Sequence, residues 1–516
     1  MQENEPQNLA FYWSTLFVRS LFVEGVRNVV ISPGSRSTPL TLAFSAHPGI
    51  NKTIAVDERS ASFLALGQAK ASGIPSVLVC TSGTALANYS PAVHEATNSG
   101  IPMIIASADR PPHLRGLGSS QTIDQIKIFG TQPVFFHEIG EPRIEPNSQK
   151  RVEVAARQAV QCATEFTGVS HINFSFDKPF EPEADFLKLI EKENLNHSKR
   201  AQTDYSQTLE ETALGEKFWS QLISAEKPLI IVGPKTSRTE LGFITPLARA
   251  LSAPVIAEPG SNIPNSKHSI PGYSGFLKDP DYRDQLKPDL IIRAGSFPIS
   301  KGVQELLSEC NDIHQISFAS IKVPNDGDSP PDRTIHLKSP LSIPDINGNT
   351  SPKWLKEWKK VSKKYSSFLV DNILPSTPLT DGYIFKEAGD LIPKKSFVML
   401  SNSFPVRDLA LFTDFSGQEI YVNRGAAGID GIISTTVGLS SVLKKTGVLF
   451  IGDIAFLHDI NALLLARNID EPLIIVVLNN GGGTIFRMLP VYKFKKKHNQ
   501  LFETPQDVRI VSLCRG

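Results

Sequence analysis

The sequence predicts an α/β protein of three consecutive units, each a mostly parallel sheet flanked by helices. Short apolar runs of strand length alternate with helix-length segments rich in small residues along the whole chain. That is the pattern of β-α-β units whose strands are covered on both faces. Two polar breaks interrupt the alternation, and 516 residues exceed what one hydrophobic core serves. Many of the strand-like runs also end in turns of Ser, Gly, Asn or a charged residue, and such turns line the carboxyl edge of a parallel sheet, where α/β proteins bind ligands.

The first unit is assigned to residues 1–190, with strands at Val29–Ile31, Thr53–Val56, Ser76–Cys80 and Met103–Ala106. The polar stretch from Glu191 to Thr208 reads as a linker. A second unit, 209–344, carries strands at Leu229–Val232, Val255–Ala257, Leu290–Arg293 and Gln315–Phe318. Sequence rich in Pro and Asn then marks a boundary. The third unit, 353–516, has strands at Val398–Ser401, Ile420–Val422, Val448–Ile451 and Leu473–Leu478. Units one and three share a design: an Arg soon after one strand, and after the next a charged turn that opens a small-residue helix (Asp57-Glu58-Arg59; Asn423-Arg424-Gly425), which suggests duplication around a different middle unit. Thr504-Pro505 reads as the start of a final helix, Thr as cap and Pro in the first turn. Because no strand follows that helix, the third unit is expected to be incomplete at its C-terminal end.

Bulk properties exclude several classes. A formal net charge of +1 gives no electrostatic case for nucleic acid or an anionic membrane. No apolar run reaches the roughly 20 residues that span a bilayer. The four cysteines are scattered without metal-ligand spacing, which suits a reducing, cytoplasmic setting.

The chemistry concentrates at predicted strand ends. Gly452-Asp453 closes one apolar run, and Asn479-Asn480-Gly481-Gly482 closes the next after a helix-length segment, Leu457 to Ala466. A carboxylate, an amide oxygen and a glycine carbonyl are hard ligands suited to Mg²⁺ holding a diphosphate, and the glycines let backbone approach phosphate. The plain alternative is a capped helix and an Asn-Gly turn. Glu58 stands where a strand meets a small-residue helix; it is either a dipole-stabilising acid or one that exchanges a proton with a ring nitrogen. Ser32 to Ser37 and Thr81 to Ala85 are hydroxyl- and Gly-rich strand-to-helix turns, anion-facing or simply tight. Arg36, Arg110, Lys301, Arg407 and Arg424 recur at such turns, as salt-bridge partners or as grips on a substrate with several carboxylates.

Taken together, Gly452-Asp453, Asn479-Asn480 and Glu58 resemble the cofactor motifs of thiamine-diphosphate enzymes. Pro33-Gly34-Ser35-Arg36-Ser37-Thr38-Pro39, Asp57-Glu58-Arg59, Ala108-Asp109-Arg110-Pro111-Pro112, Asn423-Arg424-Gly425-Ala426 and Gly428-Ile429-Asp430-Gly431 narrow the likeness. They resemble the branch of that family that joins 2-oxoglutarate to isochorismate in menaquinone and phylloquinone biosynthesis. The resemblance implies a three-domain fold with pyrimidine-binding, central and diphosphate-binding parts, and a homodimer or dimer of dimers with its active site at the subunit interface. It implies a transferase of the transketolase or carboligase class using thiamine diphosphate and Mg²⁺ or Mn²⁺. The reaction would be decarboxylation of 2-oxoglutarate and 1,4-addition of the resulting carbanion to isochorismate.

By the same resemblance, Asp453, Asn480 and Gly482 would hold the metal, and Ile485 and Phe486 would line the thiazolium side. Glu58 would be the catalytic acid at the aminopyrimidine. Ser35, Arg36, Arg110, Gln121, Lys301, Asn402, Ser403, Arg407 and Arg424 match substrate-contacting positions. The chain departs from the pattern at Gly302, where some members carry Arg after the Lys, and at Ile454, where the usual motif has Gly. Competing expectations are another thiamine-diphosphate-dependent 2-oxo acid decarboxylase or carboligase, and a non-catalytic cofactor-binding protein.

Overall fold

A computed structural model describes residues 8–143, 148–200, 214–235, 238–319, 329–337, 341–346, 348–373, 379–413 and 417–515. Within them lie three sheets in which every ladder is parallel. The first contains β1 (Asn28–Ile31), β2 (Asn51–Ile54), β3 (Ser76–Cys80), β4 (Met103–Asp109), β5 (Phe135–Gly140) and β6 (Val169–Ser175) in the order β2-β1-β3-β4-β6-β5. The second contains β7 (Pro228–Val232), β8 (Val255–Ala257), β9 (Leu290–Ala294), β10 (His314–Ala319) and β11 (Arg333–His336) in the order β11-β10-β9-β7-β8. The third contains β12 (Phe397–Leu400), β13 (Glu419–Val422), β14 (Gly447–Gly452) and β15 (Leu473–Leu478) in the order β13-β12-β14-β15.

Each sheet therefore starts from the same arrangement: its second strand, first strand, third and fourth, side by side. Because the middle sheet shares it, strand order does not single out the outer two as a duplicated pair. The central strands are buried on both faces, as β3, β4, β7 and β9 show, and pack against helices in separate core clusters. Among the described residues no helix is long and apolar enough to cross a membrane.

Several expectations need correction. The supposed linker is helical in its first part, because the helix Ala184–Arg200 runs through Glu191; 201–208 lie outside the described residues. β5, β6 and β11 were not anticipated. The segment Leu457–Ala466 is broken into a helix ending at His458, a 3-10 turn Ile460–Ala462 and a short helix Leu463–Ala466. Thr504 adopts a left-handed conformation (φ 43°) and the last helix begins only at Ile510, so Thr504-Pro505 does not cap it. The turn at Asn423-Arg424-Gly425 does not open a helix directly either, since the helix Ile432–Leu443 starts after Gly431.

The first and third sheets meet through the helices Glu58–Ser72 and Ile432–Leu443, which cross at glycines. A Cβ on Gly67 would lie 2.1 Å from the Thr435 carbonyl oxygen, and one on Gly438 would lie 2.1 Å from that of Leu64. Only glycine allows this approach.

Candidate active site

In each sheet the switch point lies between the first and third strands, where crossovers leave in opposite directions and open a crevice at the carboxyl ends. In the first sheet the turns after β1 and β3 carry Ser32–Ser37 and Thr81–Ala85. They line a cleft of about 460 Å³ with Glu58, Asn88 and Gln121–Ile123. Every residue lining it belongs to the first sheet's unit. Glu58 is the first residue of its helix; the neighbouring Asp57 caps it by accepting from the Ser60 N–H at 3.2 Å, which frees Glu58 to face the cleft.

Two of the predicted cations sit beside this cleft rather than in it. Arg110 donates to Ser82 Oγ and to the Ser120 carbonyl, both at 2.7 Å. Arg36 donates to the Phe176 carbonyl and stacks over Phe180 at 4.9 Å. Its Nε has no hydrogen-bond partner among the described residues. Burial, then the nearby Arg110 charge, lowers the Arg36 pKa. Two cations held together this way make a site that an anion would relieve. Ser35 and Gln121 are exposed at the rim, Gln121 in a left-handed conformation (φ 52°).

In the third sheet the pair that the spacing predicted comes together at the β14–β15 edge, one strand beyond the switch point. Gly452 pairs with Leu478 in the β14–β15 ladder, so Asp453 and Asn479 begin adjacent turns. Asp453 is buried. Its Oδ2 accepts from the Gly482 N–H at 2.7 Å and its Oδ1 from the Ile454 N–H at 3.0 Å. Each oxygen keeps a lone pair, so the carboxylate is aimed by backbone and still able to ligate. The Gly482 carbonyl accepts from the Thr484 N–H at 2.8 Å, and Asn480 is exposed. Gly482 has φ 118°, and a Cβ there would lie 2.2 Å from the Glu503 carbonyl oxygen. Ile485 and Phe486 follow in a 3-10 turn, Thr484–Met488, with Phe486 edge-on to Phe502 at 5.8 Å. The donor set is oxygen-only and the backbone narrow, which fits a metal–diphosphate group. Among the described residues no cluster of three His, Cys, Asp or Glu side chains forms a different metal site.

Arg407 and Arg424 lie at the carboxyl edge of the same sheet. Asn402 follows β12 and is buried; its Nδ2 donates to the carbonyls of Asn423 (2.8 Å) and Gly428 (2.6 Å), and its Oδ1 accepts from Arg424 Nη1 at 3.1 Å. Ser403, at φ 74°, starts the helix Phe404–Phe412, and Arg407 folds back onto the Ser403 carbonyl. Burial, then Arg407, lowers the Arg424 pKa, while Glu95 and Glu258 raise it. Lys301 stands apart: it is exposed and pairs with Glu305 at 3.6 Å. The neighbouring Ser300 donates its N–H to Glu258 Oε1 at 3.2 Å, a carboxylate whose charge reaches Arg424. At Gly302 a Cβ would lie 2.7 Å from Leu277 backbone, so this corner has no room for a larger residue.

Sequence reasoning passed over the groups that hold these turns. Gln125 is buried and links the Gly83 N–H (2.9 Å) to Asn173 Oδ1 (2.9 Å). Glu503 accepts from Arg487 through both oxygens at 2.7 Å and closes on the Gly482-Gly483 turn by accepting the Gly483 N–H on its carbonyl at 2.7 Å. Glu95 reaches from the first unit into the 423–428 turn. Its signal was an acid within the buried stripe Ala92, Val93, Glu95, Ala96 and Ser99 of one helix.

The comparisons with known proteins agree with this geometry. Residues 13–128 match the family model of the thiamine pyrophosphate enzyme N-terminal binding domain, and the sheets and crevices described are those of a thiamine-diphosphate-dependent enzyme. Three relatives carry the name 2-succinyl-5-enolpyruvyl-6-hydroxy-3-cyclohexene-1-carboxylate synthase. That of Oceanobacillus iheyensis is 35% identical over 97% of this chain and 88% of its own length. The Bacillus velezensis protein is 34% identical over 95% of this chain and 86% of its own, and the Microcystis aeruginosa protein 35% over 99% and 91%. The chain belongs to the 2-succinyl-5-enolpyruvyl-6-hydroxy-3-cyclohexene-1-carboxylate synthase family.

Proposed function

We propose that this protein decarboxylates 2-oxoglutarate and adds the resulting four-carbon unit to isochorismate, with thiamine diphosphate and Mg²⁺ or Mn²⁺. The observation that carries the reading is the pairing of a buried carboxylate aimed by backbone, Asp453, with a glycine cradle at Gly482, together with a separate crevice that holds Glu58. When bound, the cofactor supplies a carbanion equivalent that adds to a 2-oxo acid and stabilises charge as CO₂ departs.

In this reading Asp453 and Asn480 hold the metal by side-chain oxygens and Gly482 by its carbonyl. Ile485 and Phe486 would line the thiazolium side. Glu58 holds a proton at the aminopyrimidine nitrogen. Both substrates are dianions, and the cations divide accordingly: Arg36 and Arg110, with Ser35 and Gln121, form one anion-holding group. Arg407 and Arg424, with Asn402, Ser403 and Lys301, form the other. Arginine suits both because its planar fork grips carboxylates in two places.

The assignment of residues 1–190, 209–344 and 353–516 as pyrimidine-binding, central and diphosphate-binding domains belongs to the same proposal. So does a homodimer or dimer of dimers, in which a second copy closes the Glu58 cleft. Two facts support it: the cleft is lined from one unit alone, and Val56, two residues before Glu58, is 79% exposed. A cytoplasmic location accords with the free thiols Cys80, Cys162, Cys310 and Cys514.

The test is turnover by the purified chain given thiamine diphosphate, Mg²⁺, 2-oxoglutarate and isochorismate. Release of CO₂ together with consumption of isochorismate is expected. No CO₂ from this pair, or equal release from pyruvate without isochorismate, would overturn the assignment.

A further inference from the structure

The Arg424 turn is held by a carboxylate that no substrate reading requires. Glu95, in the helix Ser90–Ser99 of the first unit, is only 3% exposed, yet it accepts four hydrogen bonds. Oε1 takes the Gly425 N–H at 2.8 Å and Ser99 Oγ at 2.7 Å; Oε2 takes the Ala426 N–H at 2.7 Å and the Ala427 N–H at 3.3 Å. Three successive backbone amides converging on one anion form a nest, here filled by a side chain of the same protein. The fit requires glycine at 425, where a Cβ would lie 2.4 Å from the Glu95 carbonyl oxygen and 3.0 Å from its Cδ.

Other groups fix the same turn. Lys70 Nζ donates to the Val422 carbonyl and to Asn423 Oδ1, both at 2.6 Å, and Asn402 ties Asn423 to Gly428. Within this frame the Arg424 side chain leaves the turn and meets Asn402 Oδ1 at 3.1 Å.

We propose that Glu95 is a positioning residue: it fixes the 423–428 turn from the first unit and so sets the direction of the Arg424 guanidinium toward a substrate carboxylate. This rests on the reading of Arg424 as a substrate contact. A Glu95→Gln change preserves size, but its amide nitrogen points a donor at donors, so at least one backbone N–H loses its acceptor.

The experiment uses the full chain and two readouts. In steady-state kinetics Glu95→Gln raises KM for one dianionic substrate at least tenfold, while affinity for thiamine diphosphate stays within twofold of the parent. In an Arg424→Ala background the same change alters KM less than twofold. Equal effects in both backgrounds, or an unchanged KM, overturn the positioning role and leave Glu95 a strut. Amide hydrogen exchange of the 423–428 peptide judges the clamp without turnover: exchange at least tenfold faster in Glu95→Gln is expected, and unchanged exchange overturns it. Should the parent fail to turn over 2-oxoglutarate with isochorismate, the functional reading and the positioning role fall together, while the exchange result still decides the clamp. Glu95→Asp, which keeps the charge, is expected to restore part of the protection.

Discussion

Replacing Gly67 by Ala tests the joint on which the two chemical crevices depend. The added Cβ would stand 2.1 Å from the Thr435 carbonyl oxygen and 3.0 Å from Gly438 Cα. Relief to ordinary contact distance separates the two helices by about 1 Å, and a gap of that size forfeits roughly a quarter to a half of each affected van der Waals well. Overpacking of this kind costs about 1–3 kcal/mol. The gain in helix propensity of Ala over Gly, about 1 kcal/mol, offsets part of it. A net loss of up to about 2 kcal/mol follows from those two terms, with Gly67→Val worse.

The internal control is Gly242, in the helix Arg238–Ala250. A Cβ there meets nothing within 4 Å, so Gly242→Ala gains up to about 1 kcal/mol with no clash. Thermal unfolding of both variants beside the parent reads the contrast: Gly67→Ala falls and Gly242→Ala holds or rises. The helix that Gly67 interrupts begins at Glu58, so kcat is expected to fall with the Gly67 change and not with the Gly242 change. A Gly67→Ala protein as stable as its parent would show that the helices do not cross at this distance.

Three further outcomes are expected. Asp453→Ala leaves the buried Gly482 N–H without its acceptor at a cost of about 1–3 kcal/mol, and isothermal titration should show Mg²⁺-dependent cofactor affinity falling at least tenfold; unchanged affinity refutes the metal assignment. Glu58→Gln should keep cofactor binding but lose at least a hundredfold in kcat, the range of a lost acid–base group, and retained turnover would count against its role. Burial, then the neighbouring Asp381, pushes Asp408 up to about 8, so the folded state binds a proton there that the unfolded chain releases near pH 4. Stability therefore declines as pH rises between the ordinary carboxylate value and about 8. Asp408→Asn removes the penalty, so its melting temperature should match the parent's in acid and exceed it above pH 8; a constant difference at pH 5 and pH 9 would refute this.

What was legible in the sequence was the part written in local pattern. Leu473–Leu478 is a continuous apolar run and Ser76–Cys80 is one after its first residue, and both are strands within those bounds. The joint placement of Asp453 and the Asn480 turn follows from strand pairing alone, since Gly452 and Leu478 are partners. β6 escaped because its apolar pattern is interrupted by Ser170, His171, Asn173 and Ser175, all buried in hydrogen bonds rather than exposed. Those partners are on distant segments, so the strand looks polar when read alone. The Glu95 clamp was invisible for the same reason, because its acceptors and donors lie 330 residues apart. Thr504-Pro505 failed in the opposite sense. The local signal for a cap was present, but the segment is committed to the Gly482-Gly483 turn through the Glu503 carbonyl.

The shared strand order makes the difference between the three crevices a matter of what fills them. At the middle sheet's switch point, a Cβ on Gly233 would lie 1.6 Å from the Ser296 carbonyl oxygen, and Ser296 donates its N–H and its hydroxyl to the Pro234 carbonyl at 2.9 and 2.7 Å. The two turns are bonded to each other there, and the crevice that the topology offers is closed by backbone. In the first sheet the corresponding turns meet through a side chain, since a Cβ on Gly34 would strike Thr81 Cβ at 2.3 Å, and beyond them the Glu58 cleft stays open. In the third the bridge lies one strand further on: Asp453, after β14, accepts from the Gly482 N–H, after β15, and each carboxylate oxygen keeps a lone pair. A parallel sheet thus supplies the place for a ligand three times over. Backbone bonded to backbone closes the middle place, whereas the first stays open beyond a side-chain contact and the third is bridged by a carboxylate that can still ligate.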